Sequence, residues 1–136
     1  MGVDYNNDVF IGIIIGPNNY YYNEISSIVN GDDYDYDEYK LLHDRYVDPK
    51  ERIFGISLVS TNISSFDPVY ETGLKHLDIL YYSGVTILKY ELDYSKSYIK
   101  KHMRNFDKNS KFYKLLERLF YDDSITVNRY NYTYAT

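Results

Sequence analysis

Seven consecutive residues, Val9-Phe10-Ile11-Gly12-Ile13-Ile14-Ile15, are apolar or glycine, and the turn-forming run Gly16-Pro17-Asn18-Asn19 follows directly. Successive side chains of a strand point to opposite faces, so a strand that is apolar at every position has to be covered on both sides. The segment therefore predicts the first and central strand of a sheet with apolar material above and below it. It is far shorter than the ~20 apolar residues of a membrane-spanning helix.

The chain has 136 residues and 44% hydrophobic content, which fits one domain over residues 1–136 with a core of its own. Zero cysteines exclude a disulfide scaffold, a thiolate nucleophile and a Cys-ligated metal. Met1-Gly2-Val3-Asp4-Tyr5-Asn6 has no basic stretch ahead of an apolar one, and Asn6 stands where a myristoylation signal needs Ser or Thr. The expectation is a cytoplasmic protein, in the host cytoplasm if viral, with no membrane partner.

Further elements follow from periodicity. Ile25, Ile28 and Val29 have helical spacing, and Asn30-Gly31 offers a C-cap. Tyr39, Leu42 and Tyr46 predict a brief helix before Asp48-Pro49. Residues 52–60, Arg52 to Ser60, predict a second apolar strand. Asp67-Pro68 resembles a helix start, and Tyr70, Leu74, Leu77 and Tyr81 recur at i, i+4, i+7 and i+11, which predicts a helix ended by Ser83-Gly84. Val85–Leu92 predicts a third strand. Residues 95–121 carry the strongest helical signal, with Ile99, Met103 and Phe106 on one stripe and Phe112, Leu115, Leu116, Leu119 and Phe120 on another; Asp107, Asn109 and Ser110 can divide it in two. Phe106, Leu116 and Phe120 are expected in the core. Ile125 to Tyr134 alternates with period two and is polar enough to predict an edge strand. The sum is an α+β fold, a sheet of about four strands packed with helices.

Named chemical motifs are missing. Gly12-x-x-x-Gly16 lies on a strand and lacks the dinucleotide pattern, no phosphate-binding loop or G-x-S-x-G elbow occurs, and His43, His76 and His102 are scattered. Asp33, Asp35, Asp37 and Asp44 match calcium-loop positions 1, 3, 5 and 12, but Glu38 replaces the glycine that the turn requires. No catalytic pair, metal site or cofactor is expected.

Charge and aromatic content supply two functional expectations. Nineteen tyrosines, one alanine, no tryptophan and no glutamine point to AT-rich codons and a low-GC bacterial or viral source. Residues 1–68 hold four bases against twelve acids, whereas residues 69–136 hold eleven against eight. Within the acidic half, Asp32, Asp33, Tyr34, Asp35, Tyr36, Asp37 and Glu38 form a candidate protein-binding surface. Its carboxylates can imitate phosphates, and its rings can imitate bases, in the basic groove of a protein partner. In these broad traits the chain resembles small accessory proteins of bacterial viruses, including inhibitors of host defence nucleases. That resemblance implies an anti-defence inhibitor acting on a nucleic-acid-binding protein.

The alternative uses the opposite half. Lys96, Lys100, Arg104 and Lys108 step by four and predict one basic helical stripe, extended by Lys111, Lys114 and Arg118 and aided by Tyr130, Tyr132 and Tyr134. It would bind nucleic-acid phosphates or a phosphorylated ligand. The global acidity opposes long-range attraction to nucleic acid, so direct binding ranks second. A homodimer is expected through the tyrosine-rich C-terminal edge strand.

Overall fold

A computed structural model describes residues 5–29, 40–42, 53–59, 76–82, 85–90 and 95–135. The fold is α+β. Six strands, β1 (Tyr5–Ile15), β2 (Lys40–Leu42), β3 (Ile53–Val59), β4 (His76–Tyr82), β5 (Val85–Tyr90) and β6 (Asn128–Ala135), form one sheet in the order β2-β3-β1-β6-β5-β4. Every neighbouring pair is antiparallel. The described helices are α1 (Tyr22–Val29), α2 (Lys96–Lys101) and α3 (Lys111–Tyr121).

β1 is interior, as its composition dictates. Ile11, Ile13 and Ile15 face a core made with Phe54, Ile56 and Leu58 of β3, Ile25 of α1, Ile99 of α2 and Phe112, Leu115, Leu116 and Leu119 of α3. Phe10 faces the other way, into a smaller cluster with Ile53, Ile87 and Tyr130. Each of these side chains stabilises the fold by roughly 1.5–3 kcal/mol if fully buried, so the strand's need for cover on both faces is met.

Three expectations are corrected. β6 is not an edge strand: it lies between β1 and β5, with Phe10 opposite Tyr130 and Tyr90 opposite Arg129. Its backbone groups pair on both sides, which removes the interface assigned to a homodimer. The stretch ending at Tyr81 is not a helix over its last part, because residues 76–82 are β4, paired with β5 from Tyr82↔Val85 to His76↔Tyr90. A spacing of four is even, so Leu77 and Tyr81 satisfy a strand's period as well as a helix's. Leu42 belongs to β2 and not to a helix. The expected α+β sheet packed with helices is present, and six strands belong to it among the described residues.

The helical region 95–121 divides at its turn-forming residues. Ser95 and Ser110 cap the two helices, their side-chain oxygens accepting from the backbone N–H groups of Tyr98 and Tyr113. Asp107 shapes the turn before Ser110, its carboxylate accepting from the Asn109 N–H at 2.9 Å. Phe106 and Leu116 are buried as expected; Phe120 is only partly covered at the core's margin.

Between β1 and β3 the register slips: Gly12 pairs with Ser57 and Ile11 with Val59, so Leu58 is an extra residue, a β-bulge. Its carbonyl, released from the ladder, accepts a 2.9 Å bond from the Arg104 N–H. The bulge thereby ties the segment linking α2 and α3 to the sheet.

Candidate functional site

α3 is amphipathic over its whole length. Phe112, Leu115, Leu116 and Leu119 enter the core, while Lys111, Lys114, Arg118 and Tyr121, spaced by three, four and three, lie on the exposed side. At 1.5 Å per residue this stripe runs about 16 Å along the helix. Lys108 and Arg104 precede it in exposed backbone, Arg104 held by the bulge. Across residues 95–124 eight Lys and Arg stand against four Asp and Glu, so this layer is basic within an acidic protein.

The expected stripe Lys96-Lys100-Arg104-Lys108 does not form. α2 ends at Lys101, where the His102 N–H bonds back to Ile99 and Lys100 carbonyls, so Arg104 and Lys108 have no helical phase with Lys96. Lys96 itself is engaged in structure. Its Nζ donates to the carbonyls of Leu119 at 3.4 Å, Phe120 at 3.3 Å and Asp122 at 2.9 Å, so it caps the C-terminus of α3. Lys100 instead places its ammonium 5.8 Å from the centre of the Tyr121 ring. Among the described residues, Arg104, Lys108, Lys111 and Lys114 form no ion pair.

Tyrosines terminate the stripe. Among the described residues, Tyr121 is 80% exposed and Tyr20 85%, the two aromatic rings that stand out in solvent. Tyr21 is buried, with Tyr20 edge-on to it at 5.2 Å and the Arg118 guanidinium 5.6 Å from its ring centre. Arg118 also pairs with Glu24 of α1. The Tyr21 hydroxyl donates to Asp122 Oδ2 at 2.7 Å, and Ser124 donates to Asp122 Oδ1 from both its N–H and its hydroxyl. These hydrogen bonds from Ser124 and Tyr21 hold the Asp122 carboxyl down at about 2; the same bond to Asp122 raises the Tyr21 phenol.

The sequence expectation that Tyr130 would assist the basic residues is corrected: Tyr130 is buried on the sheet face opposite the described helices, tilted against Phe10 at 5.4 Å. Tyr132 and Tyr134 belong to the same interior strand. Arg129 is 3% exposed, with Nε 3.4 Å from Asn131 Oδ1. The acidic run Asp32, Asp33, Tyr34, Asp35, Tyr36, Asp37 and Glu38 lies outside the described residues, as does Asp44 of the calcium-loop comparison. Among the described residues no cluster of His, Cys, Asp or Glu could hold a metal, and no helix is long and apolar enough to cross a membrane.

Tyr20 and Tyr121 were missed in the sequence because neither falls in a basic run. The signal was the Ser110 cap: it sets the phase in which Lys111, Lys114, Arg118 and Tyr121 align. Comparison with protein-family models, curated proteins and solved structures finds no match to this chain.

Proposed function

We propose that the protein is a binding protein whose helix layer takes a polyanion along α3. The observation that carries this reading is the arrangement of Lys111 and Lys114 in the first turn of α3, where no acid accompanies them and Arg104 and Lys108 stand close by in sequence. A helix N-terminus is electropositive, and cations there oppose stability by roughly 0.3–1 kcal/mol each. A ligand phosphate would relieve that repulsion. With phosphates ~3.4 Å apart, the ~16 Å stripe accommodates about five. The net charge of −5 does not cancel the patch, because charges beyond ~8–10 Å are screened at physiological salt.

The test is binding of labelled polyphosphate or heparin at several salt concentrations. Log K should fall linearly with log salt, and Lys108→Gln, Lys111→Gln and Lys114→Gln combined should flatten the slope by up to about 3, one per lost phosphate contact. Salt-independent binding, or a triple variant equal to the parent, rejects the reading.

A second reading rests on the five carboxylates within residues 32–38. We propose that this segment contacts a basic, nucleic-acid-binding protein, as an anti-defence inhibitor would. Asp33→Asn, Asp35→Asn and Asp37→Asn together should abolish capture of such a partner and leave polyphosphate binding by α3 intact.

A further inference from the structure

We infer that the polyanion is a single-stranded nucleic acid, with unpaired bases stacking on Tyr121 and Tyr20 at the C-terminal end of α3. The inference rests on the polyanion reading and adds to it a ligand class. Lysines alone attract any phosphate chain; what distinguishes this surface is where its aromatic rings stand.

Tyr121 continues the spacing of Lys111, Lys114 and Arg118, so a chain whose phosphates follow the bases along α3 arrives at its ring. The ring is 80% exposed, and Lys100 lies over it at 5.8 Å. A cation over an aromatic ring leaves the opposite face open, and the charge itself can serve a flanking phosphate. Tyr20 is exposed but positioned: its edge-on contact with Tyr21 is backed by the Tyr21–Asp122 hydrogen bond and by Arg118 beside the Tyr21 ring. Ordering these rings beforehand reduces the entropy lost when a base stacks on them. Of the acids beside this surface, Asp122 has its carboxylate occupied by Tyr21 and Ser124, and Glu24 is paired with Arg118.

Base stacking separates ligand classes. Bases in a duplex are already stacked on one another and present only their edges, while a single strand offers π-faces that any aromatic ring can take up without sequence preference. Polyphosphate and heparin offer none. A surface that combines a phosphate track with exposed tyrosines at its end thus favours the single strand over both.

The experiment is fluorescence anisotropy at low salt with a labelled oligo-dT, an oligo-U, a duplex of equal length and polyphosphate as separate probes. The parent protein should bind one or both single strands more tightly than the duplex. Tyr121→Leu and Tyr20→Leu should each weaken single-strand binding by about tenfold, leave polyphosphate and duplex binding unchanged, and leave the circular dichroism spectrum unchanged, since both side chains are exposed. Tyr121→Phe, which keeps the ring, should bind like the parent. Polyphosphate binding without single-strand preference, or leucine variants that bind oligonucleotides normally, overturns this inference and leaves the polyanion reading standing. No binding to any probe overturns both.

Discussion

Gly12 shows how narrowly one position can be constrained. A Cβ built there would lie 1.7 Å from the Ile56 carbonyl oxygen and 2.9 Å from its carbon, both backbone atoms that cannot swing aside. Gly12→Ala must separate β1 from β3 at the bulge, and we expect a loss above about 2 kcal/mol, measurable as a lower urea midpoint. Lys96 and Asp122 are constrained by bonding instead. Lys96→Met should lower stability by about 1 kcal/mol, because three α3-end carbonyls lose a charged donor, and leave polyphosphate binding unaltered. For Asp122 the folded carboxyl titrates at about 2, below its ordinary 3.8. A depressed acid contributes stability that is full above the ordinary value and is lost as pH falls toward the folded one. Urea midpoints should therefore decline from pH 4 to pH 2 in the parent and decline less in Asp122→Asn.

At the level of elements, α3 was legible because cap, apolar face and length agree. Ser110→Ala should remove about 1 kcal/mol through the lost bond to the Tyr113 N–H. Leu116→Ala should remove about 2–5 kcal/mol, and Phe120→Ala less than that, since Phe120 sits at the margin of the core. A greater loss at Phe120 in chemical denaturation would show that its ring packs more deeply. β1 was legible for a different reason: every position in Val9–Ile15 is apolar or glycine, and all but Val9 and Ile14 are buried. β4 was not, because Leu77 and Tyr81 fit two periods, and a Ser-Gly dipeptide suits the end of a helix as well as the sequence interval between the paired residues Tyr82 and Val85. β6 misled through its polarity. Its buried Asn128 donates to the Thr126 hydroxyl at 2.8 Å and the Tyr130 hydroxyl at 3.3 Å, so this interior polar residue finds partners two residues away on either side in the chain. The spacing of four in the basic stripe is no guide to its phase, because the helix ends at Lys101 and the segment that follows holds Asn105, Asp107 and Asn109, residues that favour turns.

Across the whole molecule, the sheet order joins sequence-distant segments at its centre: β1 pairs with β6, and only through them does β2-β3 connect to β5-β4. Deleting residues 128–136 should therefore abolish cooperative unfolding in urea altogether; a truncated chain with a sharp transition would show that the two halves of the sheet stand alone. The same order governs biosynthesis. While a ribosome is still extending the chain, β1 can find β3 but not β6, and one side of its backbone stays unpaired beside a row of isoleucines. Such an edge on a nascent chain is a template for association with other chains, and pairing over this sequence distance is slow. Chaperones that shield extended apolar segments would accordingly meet this protein late in translation, and messages broken before the codons of β6 would yield products fated for aggregation or proteolysis.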